Sequence, residues 1–218
     1  MNESKNWFNQ AKKYLDNREY EKAIECYKKV VENDPQDIVA WTNMGCAYGD
    51  LKNYEKMIEC FEKAIEIDPQ YFLTWHYLAF AYFDLKNYEK SIECYEKAIE
   101  INPTDAVAWN NMGINYNYLK TYEKAIECYE KAIEINPRDA AAWRNMGDTY
   151  NTLKNYEKAI ECCRKAVEIE PNYAIAWNNM GDSYDALKNY EMAKECYTKA
   201  FKFDPTEIRA KKFENYRG

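Results

Sequence analysis

Apolar side chains recur along this chain at helical intervals, in blocks that each end at a proline. In 106–139, Trp109, Met112, Gly113 and Tyr116 follow one another at steps of three, one and three. That spacing places them on one face of a helix. Leu119-Lys120-Thr121 breaks the pattern, and Tyr122 opens a second helix whose apolar face is Ala125, Ile126, Tyr129, Ala132 and Ile133. Pro137 ends it, because the ring biases the preceding residue away from helix. The block predicts a helical hairpin. Asp105 is placed to cap the first helix, and Asn53, Asn87, Asn155 and Asn189 stand where they can cap the second helix of other blocks. Gly113 costs about 1 kcal/mol of helix propensity. That cost fits a second backbone lying very close, at Ala125. Glu93 with Lys97, and Glu127 with Lys131, are spaced to pair along the solvated face of the second helices.

The block is one of a series. Pro35, Pro69, Pro103, Pro137, Pro171 and Pro205 are 34 residues apart, and Trp7, Trp41, Trp75, Trp109, Trp143 and Trp177 keep the same step. A period of this length means one supersecondary unit, stacked so that each completes its core against the next. The pattern resembles the tetratricopeptide repeat, W-x2-L-G-x2-Y, then A-x3-F, then P. It is carried by Trp109, Met112, Gly113, Tyr116, Ala125, Tyr129 and Pro137, and again by Trp143, Met146, Gly147, Tyr150, Ala159, Cys163 and Pro171. With Trp at position four, the repeats are 4–37, 38–71, 72–105, 106–139, 140–173 and 174–207, together 204 of 218 residues. Departures are Gln10 and Ala11 in the first repeat, Met57 in the second, and Ala79 and Ser91 in the third. The resemblance implies an all-α, right-handed α-solenoid of six helix-turn-helix repeats, one solenoid over 4–207. Residues 208–218 begin another first helix with Lys211 in place of Trp, and are expected to form a C-terminal capping helix.

Charge narrows the partners. With 30 Lys and Arg against 37 Asp and Glu, the net charge is −7, which disfavours nucleic acid held by overall attraction. The longest apolar run, Leu78 to Phe83, is too short to span a bilayer, and MNESKNWFNQ lacks the apolar core of a signal peptide. A cytoplasmic protein without membrane contact is expected. Cys26, Cys60, Cys94, Cys128, Cys162 and Cys196 share position 23. Stacked equivalents lie about one helix-packing distance apart, roughly 8–10 Å, beyond the ~7 Å limit for a disulfide. They read as small apolar packing residues. His76 is the one histidine, and no zinc-type spacing, phosphate loop or nucleophile elbow occurs. No metal, no cofactor and no enzyme activity are expected.

In the family that the chain resembles, positions 2, 5, 6, 9, 12 and 13 of each repeat look into a concave groove. Position six reads Asn9, Asn43, Tyr77, Asn111, Asn145 and Asn179. An Asn amide offers both a donor and an acceptor, so a ladder of them suits the backbone of an extended peptide. The remaining groove positions differ between repeats and would carry specificity. Lys5, Phe8, Lys12 and Lys13 stand in the first repeat, Val39, Thr42 and Cys46 in the second, and Leu73, His76, Phe80 and Phe83 in the third. Val107, Ile114, Asn117 and Tyr118 follow in the fourth, Arg144, Asp148 and Asn151 in the fifth, and Asn178, Asp182 and Asp185 in the sixth. The expected groove is basic at its start, aromatic in its middle and acidic at its end. The family's two-carboxylate clamp for chaperone tails would need Lys, Asn, Asn, Lys and Arg where Phe8, Lys12, Asn43, Leu73 and Tyr77 stand, and only Asn43 fits. No chaperone-tail clamp is expected.

These readings lead to a non-enzymatic protein–protein interaction scaffold that binds an extended peptide segment of another protein, as a monomer or with weak self-association. Two alternatives stay open: a structural self-assembly module, and a regulatory repeat domain of a larger enzyme.

Overall fold

Apolar faces at helical spacing, interrupted once per repeat by a short polar turn, fold here into helical hairpins. The computed structural model describes residues 2–205, and the segment expected as a C-terminal capping helix, 208–218, lies outside them. Twelve α-helices and no strand occur among the described residues: α1 (Asn2–Asp16), α2 (Tyr20–Asn33), α3 (Ile38–Asp50), α4 (Tyr54–Ile67), α5 (Phe72–Asp84), α6 (Tyr88–Ile101), α7 (Ala106–Tyr118), α8 (Tyr122–Ile135), α9 (Ala140–Thr152), α10 (Tyr156–Ile169), α11 (Ala174–Ala186) and α12 (Tyr190–Phe203). They form two compact units, divided in the sequence between Pro103 and Thr104. Each is an all-α stack in which every helix packs against the next, with direct contact between inner helices α3 and α5 in the first unit and among α7, α9 and α11 in the second.

The turn inside each hairpin is a Schellman motif. Lys52 N–H donates to the Gly49 carbonyl (2.8 Å) and Asn53 N–H to the Tyr48 carbonyl (2.9 Å), closing the end of α3. The residue that bends the chain is left-handed at every turn: Arg18, Lys52, Lys86, Lys120, Lys154 and Lys188 have φ between 57° and 61°. Glycine is the usual residue there. The next residue caps the second helix where it is asparagine, as when the Asn53 side chain accepts from Lys56 N–H, whereas Glu19 and Thr121 make no side-chain cap bond. Asp37, Asp105 and Asp139 cap the first helices of their repeats, whereas Tyr71 and Tyr173 occupy that place without a side-chain bond.

The shared period of Trp and Pro has a direct cause. The indole N–H of Trp41 donates to the Pro35 carbonyl (3.0 Å), Trp75 to Pro69 (2.9 Å), Trp143 to Pro137 (3.1 Å) and Trp177 to Pro171 (2.8 Å). Each bond ties the first helix of one repeat to the loop leaving the repeat before. Beneath it, buried Ala, Met, Tyr and Cys side chains fill the hairpin, with Ala23, Tyr27 and Val30 central in the first unit and Cys163, Ala166 and Ala176 in the second. The glycine at position eight admits the ring at position 24. A Cβ on Gly113 would lie 2.6 Å from the Tyr129 ring and 3.1 Å from the Ala125 carbonyl oxygen. On the outer helices the ion pairs differ from the expected ones. Lys97 pairs with Glu100 (2.8 Å) and Lys131 with Glu134 (2.8 Å), three residues on, rather than with Glu93 and Glu127. All eight cysteines are free thiols.

Candidate functional site

The inner helices α1, α3 and α5 of the first unit, and α7, α9 and α11 of the second, carry the side chains expected to meet a ligand. Side chains at position five turn partly back into the hairpins. Phe8 meets Tyr27 edge-on (5.6 Å between ring centroids) and His76 meets Tyr95 in the same way (5.5 Å), so each turns toward position 24 of its own hairpin. His76 is also flanked by Phe72 at 6.2 Å. In the second unit Asn110 and Asn178 are buried, and Arg144 is half-buried with its Nε donating to the Tyr173 hydroxyl (3.3 Å). Thr42 is buried as well, its hydroxyl donating to the Ile38 carbonyl. Phe83 packs edge-on against Tyr88 at 5.6 Å, inside its own hairpin.

The asparagine series divides in two. Asn9 is exposed, and Asn43 and Asn111 are half-buried. Asn145 and Asn179 are buried and bonded within the chain. Asn145 Nδ2 donates to Asn110 Oδ1 (2.9 Å), and Asn179 Nδ2 donates to Asp148 Oδ1 (3.3 Å). The expectation that all five amides stand free in a groove therefore fails for these two. The cause is local: the preceding inner helix offers an acceptor, Asn110 or Asp148, within reach. Asp182 is engaged too, accepting from the Tyr197 hydroxyl (2.8 Å). Buried polar groups that the sequence reading passed over, Asn115, Thr149 and Ser183, fill position ten; Thr149 and Ser183 bond the carbonyl four residues back. An Asn-Thr-Ser series at one repeat position was the available signal.

The first unit is different. Equivalent positions two, six and nine read Lys5, Asn9 and Lys12 on α1, then Val39, Asn43 and Cys46 on α3, then Leu73, Tyr77 and Phe80 on α5. Val39, Leu73, Tyr77 and Phe80 are exposed, Phe80 at 51%. The Tyr77 ring lies flat on Phe61 (5.6 Å, 18° between planes), so it is held in place although its outer face is open. A cleft of about 840 Å³ between α1 and the loop entering α3 is lined by Glu3, Lys5, Phe8, Asn9, Asp34, Asp37 and Val39 among others. Cys46 is half-buried, and burial, with Asp50 adding, pushes its pKa up to about 11. Tyr27 lies beneath Asn43. Burial pushes its hydroxyl up to about 12, Cys46 adds to this, and the nearby amide opposes it. In the second unit Ile114 is half-buried, while Val107, Tyr118 and Ile175 are exposed. No group of three or more potential metal ligands occurs among the described residues, and no helix among them is long and apolar enough to cross a membrane.

Helical hairpins of this period, tied by Trp-to-Pro bonds, define a class of interaction repeats. Tetratricopeptide repeat models match residues 4–37, 38–71, 70–138, 140–173 and 174–207, and the chain belongs to that family. Among solved structures it is similar to the MamA protein, with 27% identity over 80% of this chain and 96% of that one, at a TM-score of 0.72. YrrB, described as a TPR protein with an unusual peptide-binding site, is 21% identical over 88% of this chain and 99% of its own, at a TM-score of 0.69. PilF of Pseudomonas aeruginosa is 16% identical over 99% of this chain and 98% of its own, at 0.80. The likeness to YrrB and PilF is one of fold alone. A search of curated proteins found no significant match.

Proposed function

We propose that this chain is a non-catalytic scaffold holding an extended peptide segment of another protein on its inner helices. Family and fold support a protein-interaction role. The observation that carries the finer reading is the exposure of large apolar side chains on the inner helices of the first unit, Val39, Leu73, Tyr77 and Phe80, on helices that also carry the amides of Asn9 and Asn43. Apolar side chains gathered on one face, with hydrogen-bonding groups between them, suit a peptide whose side chains anchor it and whose backbone is held. In this reading Asn9 and Asn43 serve the first unit and Asn111 the second, where Asn145 and Asn179 are buried and bonded within the chain. YrrB is a fold neighbour described as having a peptide-binding site, which is compatible with this use of the fold.

The test is a random peptide array probed with the intact chain and with Asn43→Arg and Asn111→Arg, which place a bulky cation at the amide positions. The expected outcome is a set of retained peptides, most of them lost with one or the other variant. An array that retains nothing, or peptides indifferent to both variants, would reject the reading. Mass in solution that rises with concentration would instead favour self-assembly.

A further inference from the structure

Resting on the peptide-scaffold reading, we infer that the inner face of the first unit selects an acidic segment with an aromatic or large aliphatic anchor, the anchor over α5 and the carboxylates over α1. The apolar end is built, not incidental. Tyr77 stands where the other repeats have asparagine, and the residue behind it is Phe61 where most repeats have tyrosine. The usual phenol has no amide to approach in this repeat, and the ring beneath Tyr77 has no hydroxyl to leave unpaired. The two rings stack instead, 5.6 Å apart. Gly45 makes the stack possible, because a Cβ there would lie 2.6 Å from the Phe61 ring. Leu73 and Phe80 flank the platform and Val39 continues it onto α3, all four side chains open to solvent. An aromatic or branched side chain laid on this surface would bury apolar area on both sides.

The other end is cationic. Lys5 and Lys12 occupy on α1 the positions that Leu73 and Phe80 occupy on α5, and both are exposed. Neither holds an ion pair among the described residues; Lys12 rests 5.9 Å from the Phe8 ring centroid. On the outer helices Lys56, Lys63, Lys97, Lys131 and Lys165 each pair with a glutamate three residues on, while Lys29, Lys90, Lys124 and Lys158 lie over aromatic rings. In a chain of net charge −7, two unpaired lysines on the inner face favour carboxylates in the partner. The cleft that Lys5 lines also carries Glu3, Asp34 and Asp37, of which Asp34 accepts from Gln36 N–H and Asp37 from Ala40 N–H. From α1 to α5 is two helix-packing steps, about 20 Å, which an extended chain covers in about six residues.

The probe is a fluorescein-labelled peptide series with two Asp, a Gly/Ser spacer of about two to eight residues, and a terminal Phe-Leu. Matched series replace Asp by Lys, or Phe-Leu by Ala-Ala. Fluorescence anisotropy with the intact chain should show binding best near a six-residue spacer and weakened by salt, with each replacement costing about tenfold or more. Phe80→Ala should cost the acidic peptide about tenfold at an unchanged melting temperature. Lys5→Glu with Lys12→Glu should reverse the preference between acidic and basic peptides. Equal or better binding of the basic series, indifference to Phe80→Ala, or no binding by any spacer length would overturn the inference. If these probes fail while array peptides bind and are lost with Asn43→Arg or Asn111→Arg, this assignment falls and the general scaffold reading stands.

Discussion

A single methyl group is enough to disturb the hairpin core. At Gly113 it would meet a rigid buried ring at 2.6 Å and a backbone carbonyl at 3.1 Å, with no flexible end to yield. Overpacking costs typically about 1–3 kcal/mol, against a gain of about 1 kcal/mol in helix propensity. Gly113→Ala is expected to lower stability by up to about 2 kcal/mol, within these limits. At Gly147 the same methyl meets the smaller Cys163 sulfur at 2.8 Å and the Ala159 carbonyl at 3.2 Å. Gly147→Ala should cost less, and chemical denaturation of both variants checks the order. The buried amides lead to a second expectation. Asn145→Ala removes the donor to Asn110 Oδ1 and leaves that acceptor buried. A loss of about 1–2 kcal/mol follows, whereas Asn9→Ala, at an exposed site, should leave stability unchanged. Equal effects from the two would mean that burial does not distinguish them.

At the scale of the helix and its turn, the hairpins were legible because the repeat period and the helical period agree throughout. Tyr116, Lys120 and Pro137 sit where a helix, a turn and a stop must fall. The direction of side chains at the edge of the inner helices was not legible. Helical spacing assigns a residue to a sector of the helix, and a partner decides which way an edge residue leans. Asn145 leans to Asn110, Asn179 to Asp148, and His76 to Tyr95, and none of these partners is fixed by period alone. The switch from internal amide bonds in the second unit to an open apolar face in the first rests on such choices. The turns carry a stability cost that can be removed. Lys154 holds φ at 61° with its side chain attached, a conformation that glycine adopts freely. Lys154→Gly should raise stability by about 0.5–1 kcal/mol, since the native turn is retained and the Cβ penalty is lost. A drop in melting temperature would show that the lysine stem contributes more through its packing than the left-handed backbone costs.

Across the whole molecule, the cysteines link folding to alkaline pH. Burial pushes Cys60, Cys94, Cys162 and Cys196 from an ordinary 9.0 up to about 12, and the neighbouring glutamates Glu59, Glu93, Glu161 and Glu195 add to this. The folded state favours the protonated thiol. Below pH 9 both states hold the proton and the contribution to stability is fully present. As pH rises past 9, the unfolded chain releases protons first, so stability falls until the folded thiols titrate near 12. Each thiol steepens the loss by up to about 1.4 kcal/mol per pH unit in that window. The period multiplies the effect, because the same side chain recurs in the same buried place. Melting midpoints at pH 8, 9 and 10 should therefore fall with increasing slope. Cys162→Ala should start lower, having lost packing, and then fall less steeply. Slow reaction of the native thiols with a disulfide reagent at pH 8, turning fast in denaturant, would report the same burial. Midpoints that stay level from pH 9 to 10, or native thiols as reactive as unfolded ones, would show that the cysteine ladder is open to water.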